Sequence, residues 1–162
     1  MYREFETAPV EHEKLVQLVQ AGNRAPQGGN MSVREFLIIE DPAYVSLVRG
    51  VTPSFLANAP AIIVIITDTV KTLEVMGFQG RDILSLLDAG AVAENIALKA
   101  IELGLGVSFV RSATTNALSH VLKIPDRYRV DILIGVGYPS SKASPAVKGQ
   151  APVIHLNEFR GV

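Results

Sequence analysis

The residues best suited to chemistry lie in one short stretch, Arg24-Ala25-Pro26-Gln27-Gly28-Gly29-Asn30-Met31-Ser32. Its adjacent glycines let backbone N–H groups approach a flat or anionic ligand, and the amides of Gln27 and Asn30 can both donate and accept. The plain alternative is a connection built of turn residues. A second glycine pair, Gly104-Leu105-Gly106, has the spacing that opens a dinucleotide fingerprint. The third glycine is absent, and the pair ends a helical pattern and begins a strand, the reverse of the order that site requires. It reads as a helix cap. Asp88 could act as a catalytic carboxylate, but its place before a long helical pattern favours an N-cap. His12, His120 and His155 are far apart and lack metal-ligand spacing. Lys142, Lys148 and Arg160 make the tail weakly basic; they could clamp a phosphate, although solvated lysines on a loop are the ordinary case. There is no nucleophile elbow, and with no cysteine there are no disulfides, thiolate metal sites or thiol nucleophiles.

The 162 residues suffice for one domain with a core, and two independent domains are not expected. With 48% hydrophobic and 19% charged residues the chain is globular. Its positive mean hydropathy suggests more apolar surface than a small monomer buries, which points to an oligomer. The net charge of −1 and the lack of a basic block argue against nucleic acid as a partner. The longest apolar run, residues 59–67, is too short to span a bilayer, and the first residues lack the apolar core of a signal peptide. The expected location is the cytoplasm.

These residues need elements to hold them. The periodicity predicts a helix over 11–21, stopped by Gly22 and Asn23, then the loop at 24–32 and a strand over 33–39 with Phe36 and Ile38 on one face. Asp41-Pro42 starts a short helix to about Val48. Residues 59–67 read as a strand apolar on both faces. Residues 69–87 are ambiguous, a short helix and a loop around Gly77 and Gly80. The central element is a helix from Asp88 to about Leu103, with Ala89, Ala93, Ala97 and Ala100 on one stripe and Val92, Ile96 and Leu103 beside it. Its few polar residues predict burial on most sides. A strand over 107–110, a helix near 116–122 and a buried strand over 130–136 follow. Residues 140–150 read as loose, and 151–159 as a terminal strand or arm. Strands separated by helices give an α+β helix-and-sheet sandwich around the long helix, without a full doubly wound array.

Taken in order, these segments resemble the nitroreductase family of FMN-dependent NAD(P)H oxidoreductases across nearly the whole chain. Tyr2-Arg3-Glu4-Phe5 with Pro9-Val10 resembles the end of the family's N-terminal Arg-Arg-Ser-x-Arg-x-Phe segment. Ala25-Pro26-Gln27-Gly28-Gly29-Asn30 resembles its Ala-Pro-Ser-x-x-Asn loop. Ala59-Pro60 leads into the second strand, and Asp88-Ala89-Gly90-Ala91 to Asn95 with Leu103-Gly104-Leu105-Gly106 resembles its central helix. Ile124-Pro125 and Gly135-Val136-Gly137-Tyr138-Pro139 complete the set.

The resemblance implies a single nitroreductase-like domain over 1–162, acting as a homodimer with two FMN molecules at the subunit interface. It implies ping-pong hydride transfer from NAD(P)H through FMN to a small acceptor, such as a nitroaromatic or quinone, with the flavin and no side chain carrying the chemistry. By position, Arg3 would lie near the N1 and O2 edge of the ring. Pro26, Gln27, Gly28 and Asn30 would line the ring and ribityl chain, the backbone at Val110, Arg111 and Ser112 would face N5, and Lys148 would reach the phosphate. The chain departs from the pattern in places. It starts inside the N-terminal motif, so the family's first arginine has no counterpart; either this is a short member or the true start lies upstream. Gln27 stands for a serine, Ser32-Val33-Arg34 follows where Gln-Pro-Trp is common, and Gln150 replaces an arginine. Arg34 or Arg111 would have to compensate for the lost phosphate cations. The competing expectations are a flavin- or ligand-binding homodimer on this fold without turnover, and a dimerisation domain with no ligand.

Overall fold

In the computed structural model, which describes residues 2–52, 56, 58–111, 115–140 and 152–158, the chain is arranged about strand β2, Ala61–Asp68. All eight of its residues are buried. Ala61, Ile63 and Ile65 enter one hydrophobic cluster, while Ile62, Val64 and Ile66 enter another on the opposite face. Each such Ile or Val contributes roughly 1.5–3 kcal/mol relative to exposure. The expected strand apolar on both faces is therefore present.

With β1 (Arg34–Ile39), β3 (Gly106–Val110) and β4 (Tyr128–Gly137), β2 forms a four-stranded sheet of order β1-β2-β4-β3. Every neighbouring pair is antiparallel. Helices α1 (His12–Asn23) and α4 (Ser85–Glu102) cover one face, and α2 (Pro42–Gly50) and α5 (Thr115–Leu122) the other. Phe36 and Ile38 share the α1/α4 side, as their alternation predicts. The architecture is the α+β sandwich around a long helix.

Local signals explain several ends. The Asp41 carboxylate accepts from Ala43 N at 2.7 Å and Tyr44 N at 3.4 Å, and Pro42 occupies the first helical position of α2. Helix α4 ends on Gly104 at φ 71°, with Leu105 N donating to Ala100 O at 2.7 Å and Gly104 N to Ile101 O at 3.1 Å. This six-to-one closure is the cap that the Leu-Gly-Leu-Gly run predicts. Gly22 does not stop α1 but lies inside it: a Cβ there would stand 2.9 Å from Ile96 Cγ1 and 3.0 Å from Val92 Cγ1 of α4. The close helix approach runs through this glycine.

Three expectations are corrected. Residues 69–87 contain no loop. Helix α3 (Thr69–Gln79) starts on Asp68, whose carboxylate accepts from Lys71 N, bends at Gly77 (φ 65°, ψ −168°) and passes through a π-turn at Gly80–Leu84 into α4. Consequently Asp88 is not an N-cap, because α4 has already begun at Ser85. Nor is α4 buried on most sides: Leu87, Leu98 and Ile101 are 66%, 58% and 67% exposed. The alanine-rich side faces the core, and the other side exposes Leu87, Leu98 and Ile101 around Glu94.

The N-terminal arm is fixed to the end of the sheet where β3 begins. Tyr2 N donates to Val107 O, Phe5 N to Asn58 Oδ1 and Glu6 N to Tyr138 O, while Asn58 Nδ2 donates to Phe5 O. Residues 152–158 form no strand, and the loose stretch at 141–150 lies outside the described residues. Among the described residues no helix is long and apolar enough to cross a membrane.

Candidate functional site

The loop at 24–32 folds into a tight turn at Gly28–Asn30, with Gly29 at φ 62° and Asn30 at φ 51°. Glycine and asparagine are the residues that enter this left-handed region most readily. Asn30 N donates to Gln27 O at 3.1 Å and Met31 N to Gly28 O at 3.4 Å. Gly28 N leaves the turn and donates to Asp88 Oδ2 at 2.8 Å. Pro26, Gly29 and Asn30 are exposed, whereas Gln27 and Gly28 are half-buried against α3 and α4. A Cβ on Gly28 would lie 3.3 Å from Met76 Sδ and 3.5 Å from Asp88 Oδ2, which leaves little room for a side chain.

Beneath the turn lies Arg34, the first residue of β1, only 6% exposed. Its Nη1 donates to the Asp88 carbonyl at 2.9 Å. In the amide orientation that satisfies its neighbours, Gln27 donates to Met31 O at 2.5 Å and accepts from Arg34 Nη2 at 3.2 Å. Burial pushes the Arg34 guanidinium below its ordinary value, while the Asp88 and Asp131 carboxylates favour its charged form. Arg34 is thus a buried support and offers no exposed charge to a phosphate.

A second polar group continues under the same end of the sheet. Asp131, 1% exposed, accepts from Thr67 Oγ1 at 2.5 Å and from Arg129 Nε at 2.6 Å. Arg129 also donates to Arg81 O at 2.7 Å and Ser85 Oγ at 2.8 Å. Sheet and π-turn are tied together by one guanidinium. Burial alone would raise the Asp68 carboxyl, but the Arg127 guanidinium and the Lys71 N–H outweigh it and hold it below the usual range.

The nominated residues fall into two groups. Arg3 follows Tyr2, whose N–H bonds to Val107 O, at the end of the sheet where β3 begins, and Val110 and Arg111 lie at the far end of that strand. Arg3 and Arg111 are exposed, and neither forms an ion pair among the described residues. Pro26, Gln27, Gly28 and Asn30 belong to the turn before β1, the opposite edge strand. Three strand spacings, roughly 14 Å, separate the edges, and β2 runs roughly 23 Å between the two ends. One chain does not bring Arg3 and the turn together. Ser112 and Lys148 lie outside the described residues.

The exposed parts suit FMN. Gly29 N–H has no partner among the described residues, and beside it Asn30 offers an amide; Arg3 offers a cation suited to an electron-rich ring edge. A cleft of about 920 Å³ lies elsewhere, between α5 and the π-turn; Ser119, His120, Lys123, Arg81 and Arg129 are among its walls, and no described nominated residue is. Two of its cations are already engaged, Arg81 by Asp82 at 2.7 Å and Arg129 by Asp131. Sequence reasoning missed both this cleft and the supporting role of Asp88. The cleft's walls come from distant segments, so no local spacing announces it.

Known proteins share this fold. The FMN-dependent nitroreductase of Clostridium difficile R20291 superposes with a TM-score of 0.79 at 28% identity, over 98% of this chain and 94% of that one. A nitroreductase family protein of Clostridium difficile 630 gives a TM-score of 0.83 at 21% identity over 98% and 93%, a likeness of fold. An NADPH-dependent oxidoreductase of Staphylococcus aureus is 25% identical over 174 residues, covering 97% of this chain and 69% of that protein. The sequence model of the Nitroreductase family matches residues 42–138, from α2 through the central helix to the end of β4, and the chain belongs to that family.

Proposed function

We propose that two copies of this chain form an FMN-dependent NAD(P)H oxidoreductase that reduces a small acceptor, a nitroaromatic, quinone or related compound, by ping-pong hydride transfer. The observation that carries this reading is the division of the nominated residues between the two edges of the sheet. A site needing both groups closes only when the turn of one copy meets the β3 edge of another. The exposed apolar side of α4, with Leu87, Leu98 and Ile101, supports such pairing, since surface of this kind on a small protein marks an interaction face. The names of its relatives, an FMN-dependent nitroreductase and an NADPH-dependent oxidoreductase, support the chemistry.

When bound, FMN supplies the redox chemistry, taking hydride from the nicotinamide and passing it to the acceptor. The chain's residues bind and orient. Arg3 stabilises negative charge at the N1 and O2 edge. Pro26, Gln27, Gly28 and Asn30 from the other copy shape the floor under the ring and ribityl chain. By the family resemblance, the backbone at Val110, Arg111 and Ser112 would face N5, and Lys148 would reach the phosphate. Arg111, exposed at the end of β3, is the arginine left to replace a lost phosphate cation, because Arg34 is buried.

The test is an absorbance spectrum of the purified protein, then titration with FMN and addition of NADH or NADPH. A bound flavin bleached by either nucleotide is the expected result; protein that stays colourless after incubation with FMN contradicts it. A flavin-binding dimer without turnover is the second reading, favoured by the inward engagement of Arg34. It predicts bound flavin that dithionite reduces and neither nucleotide does.

A further inference from the structure

Resting on that reading, we infer that Asp88 and Arg34 are positioning residues, which hold the turn at Gly28–Asn30 so that it presents the Gly29 N–H and the Asn30 side chain to the ring. Of the N–H groups at 28–31, that of Gly28 goes to Asp88, that of Asn30 to Gln27 O and that of Met31 to Gly28 O. Only the Gly29 N–H is without a partner among the described residues, and it belongs to an exposed residue with no side chain to screen it. Asp88 thereby decides which donor the turn offers.

The turn does not hold this shape alone. Asn30, a non-glycine residue at φ 51°, carries a small strain that its surroundings must hold. Of the internal bonds one is ordinary at 3.1 Å and the other long at 3.4 Å, whereas the carboxylate bond to Gly28 N is 2.8 Å and charge-assisted. Arg34 closes a circuit: one nitrogen on the Asp88 carbonyl, another on Gln27, the residue joined to Gly28. Its Nε has no partner, and a buried guanidinium at the start of β1 is a poor way to gain stability alone. Two bonds directed at the turn and at its clamp give it a purpose.

The experiment compares wild type, Asp88→Ala, Asp88→Asn and, as a control in the remote α2 cap, Asp41→Ala. Hydrogen–deuterium exchange on flavin-free protein reads the clamp directly. Loss of a charge-assisted bond worth about 1.5–3 kcal/mol predicts roughly tenfold or greater acceleration at the turn in Asp88→Ala, with unchanged exchange in β2 and β4. Asp88→Asn keeps an acceptor and is expected to accelerate the turn less. Flavin titration should show weakening of about tenfold or more in Asp88→Ala, partial rescue in Asp88→Asn and wild-type affinity in Asp41→Ala. Turn exchange unchanged in both Asp88 variants overturns the inference, as does equal loss of affinity in Asp88→Ala and Asp41→Ala. If Asp88→Ala does not fold, wild-type turn exchange in Asp88→Asn overturns it and acceleration confined to the turn supports it. Should the wild type bind no flavin, the proposed function fails, while the exchange result still decides whether Asp88 clamps the turn.

Discussion

Gly22 on α1 lies against Ile96 on α4 so closely that a Cβ on the glycine would stand 2.9 Å from Ile96 Cγ1. The three atoms nearest such a Cβ belong to two branched core side chains, Val92 and Ile96, each fully buried. Gly22→Ala is therefore expected to destabilise the protein. Overpacking costs about 1–3 kcal/mol, partly offset by the roughly 1 kcal/mol that alanine gains over glycine inside a helix. Urea unfolding measures the difference. At Gly50, where no atom lies within 4 Å of an added Cβ, the same substitution should be neutral or slightly stabilising.

Asp131 carries the polar group under the sheet. Its removal in Asp131→Ala leaves Arg129 without its carboxylate and should cost about 3–5 kcal/mol. Thr67→Val removes one donor to the same carboxylate and should cost about 1.5–3 kcal/mol. Comparable small losses in both variants, measured in urea, would remove Asp131 from that role.

Tyr138 gives the fold a defined acid response. Its hydroxyl donates to Glu11 Oε2 at 2.5 Å and, with a backbone bond and Lys14, holds the Glu11 carboxyl down to about 2 from an ordinary 4.5. A carboxyl lowered on folding stabilises the native state above its unfolded value, and that contribution disappears as pH falls through the folded one. The thermal midpoint of wild type should exceed that of Tyr138→Phe by a constant amount above about pH 5, the gap closing by about pH 2. A gap unchanged down to pH 2 would contradict the assignment.

The open side of α4 predicts an assembly. A second carboxylate on this stripe, beside Glu94, sets like charges together in a desolvated interface. Leu98→Glu and Ile101→Glu should therefore sediment as monomers with unaltered far-ultraviolet circular dichroism, and should lose flavin affinity with the second copy. Persistent dimers would place the interface on another face.

Much of the architecture was legible. Residues 61–66 announce a two-faced buried strand by having no polar member, Asp41-Pro42 announces a helix start, and Gly104 a helix end. Each of these signals is local. What misled was also local: Asp88 has a capping residue's chemistry, but the helix had already started at Ser85 through a π-turn that Gly77 and Gly80 make possible. The carboxylate was thereby freed to reach Gly28, sixty positions away in sequence. The exposure of Leu98 and Ile101 was illegible because a helix with apolar residues on every side and few polar ones reads as buried whether its second cover is the same chain or another copy. At the candidate site, the glycine turn and Arg3 could be nominated from sequence; that they sit on opposite sheet edges follows only from the strand order.

The account rests on each flavin being held by two chains, and subunit exchange between Arg3→Ala and Asn30→Ala proteins tests this most directly. Each variant alone damages both of its sites. A mixed dimer carries one doubly damaged site and one intact site, so after statistical exchange about one quarter of wild-type flavin sites should regain full affinity. Recovery to about that level, with nicotinamide-dependent reduction of the recovered fraction, is the predicted result. Mixed dimers with no recovery would show that Arg3 and the turn serve the same chain, or no common site, and would contradict the account.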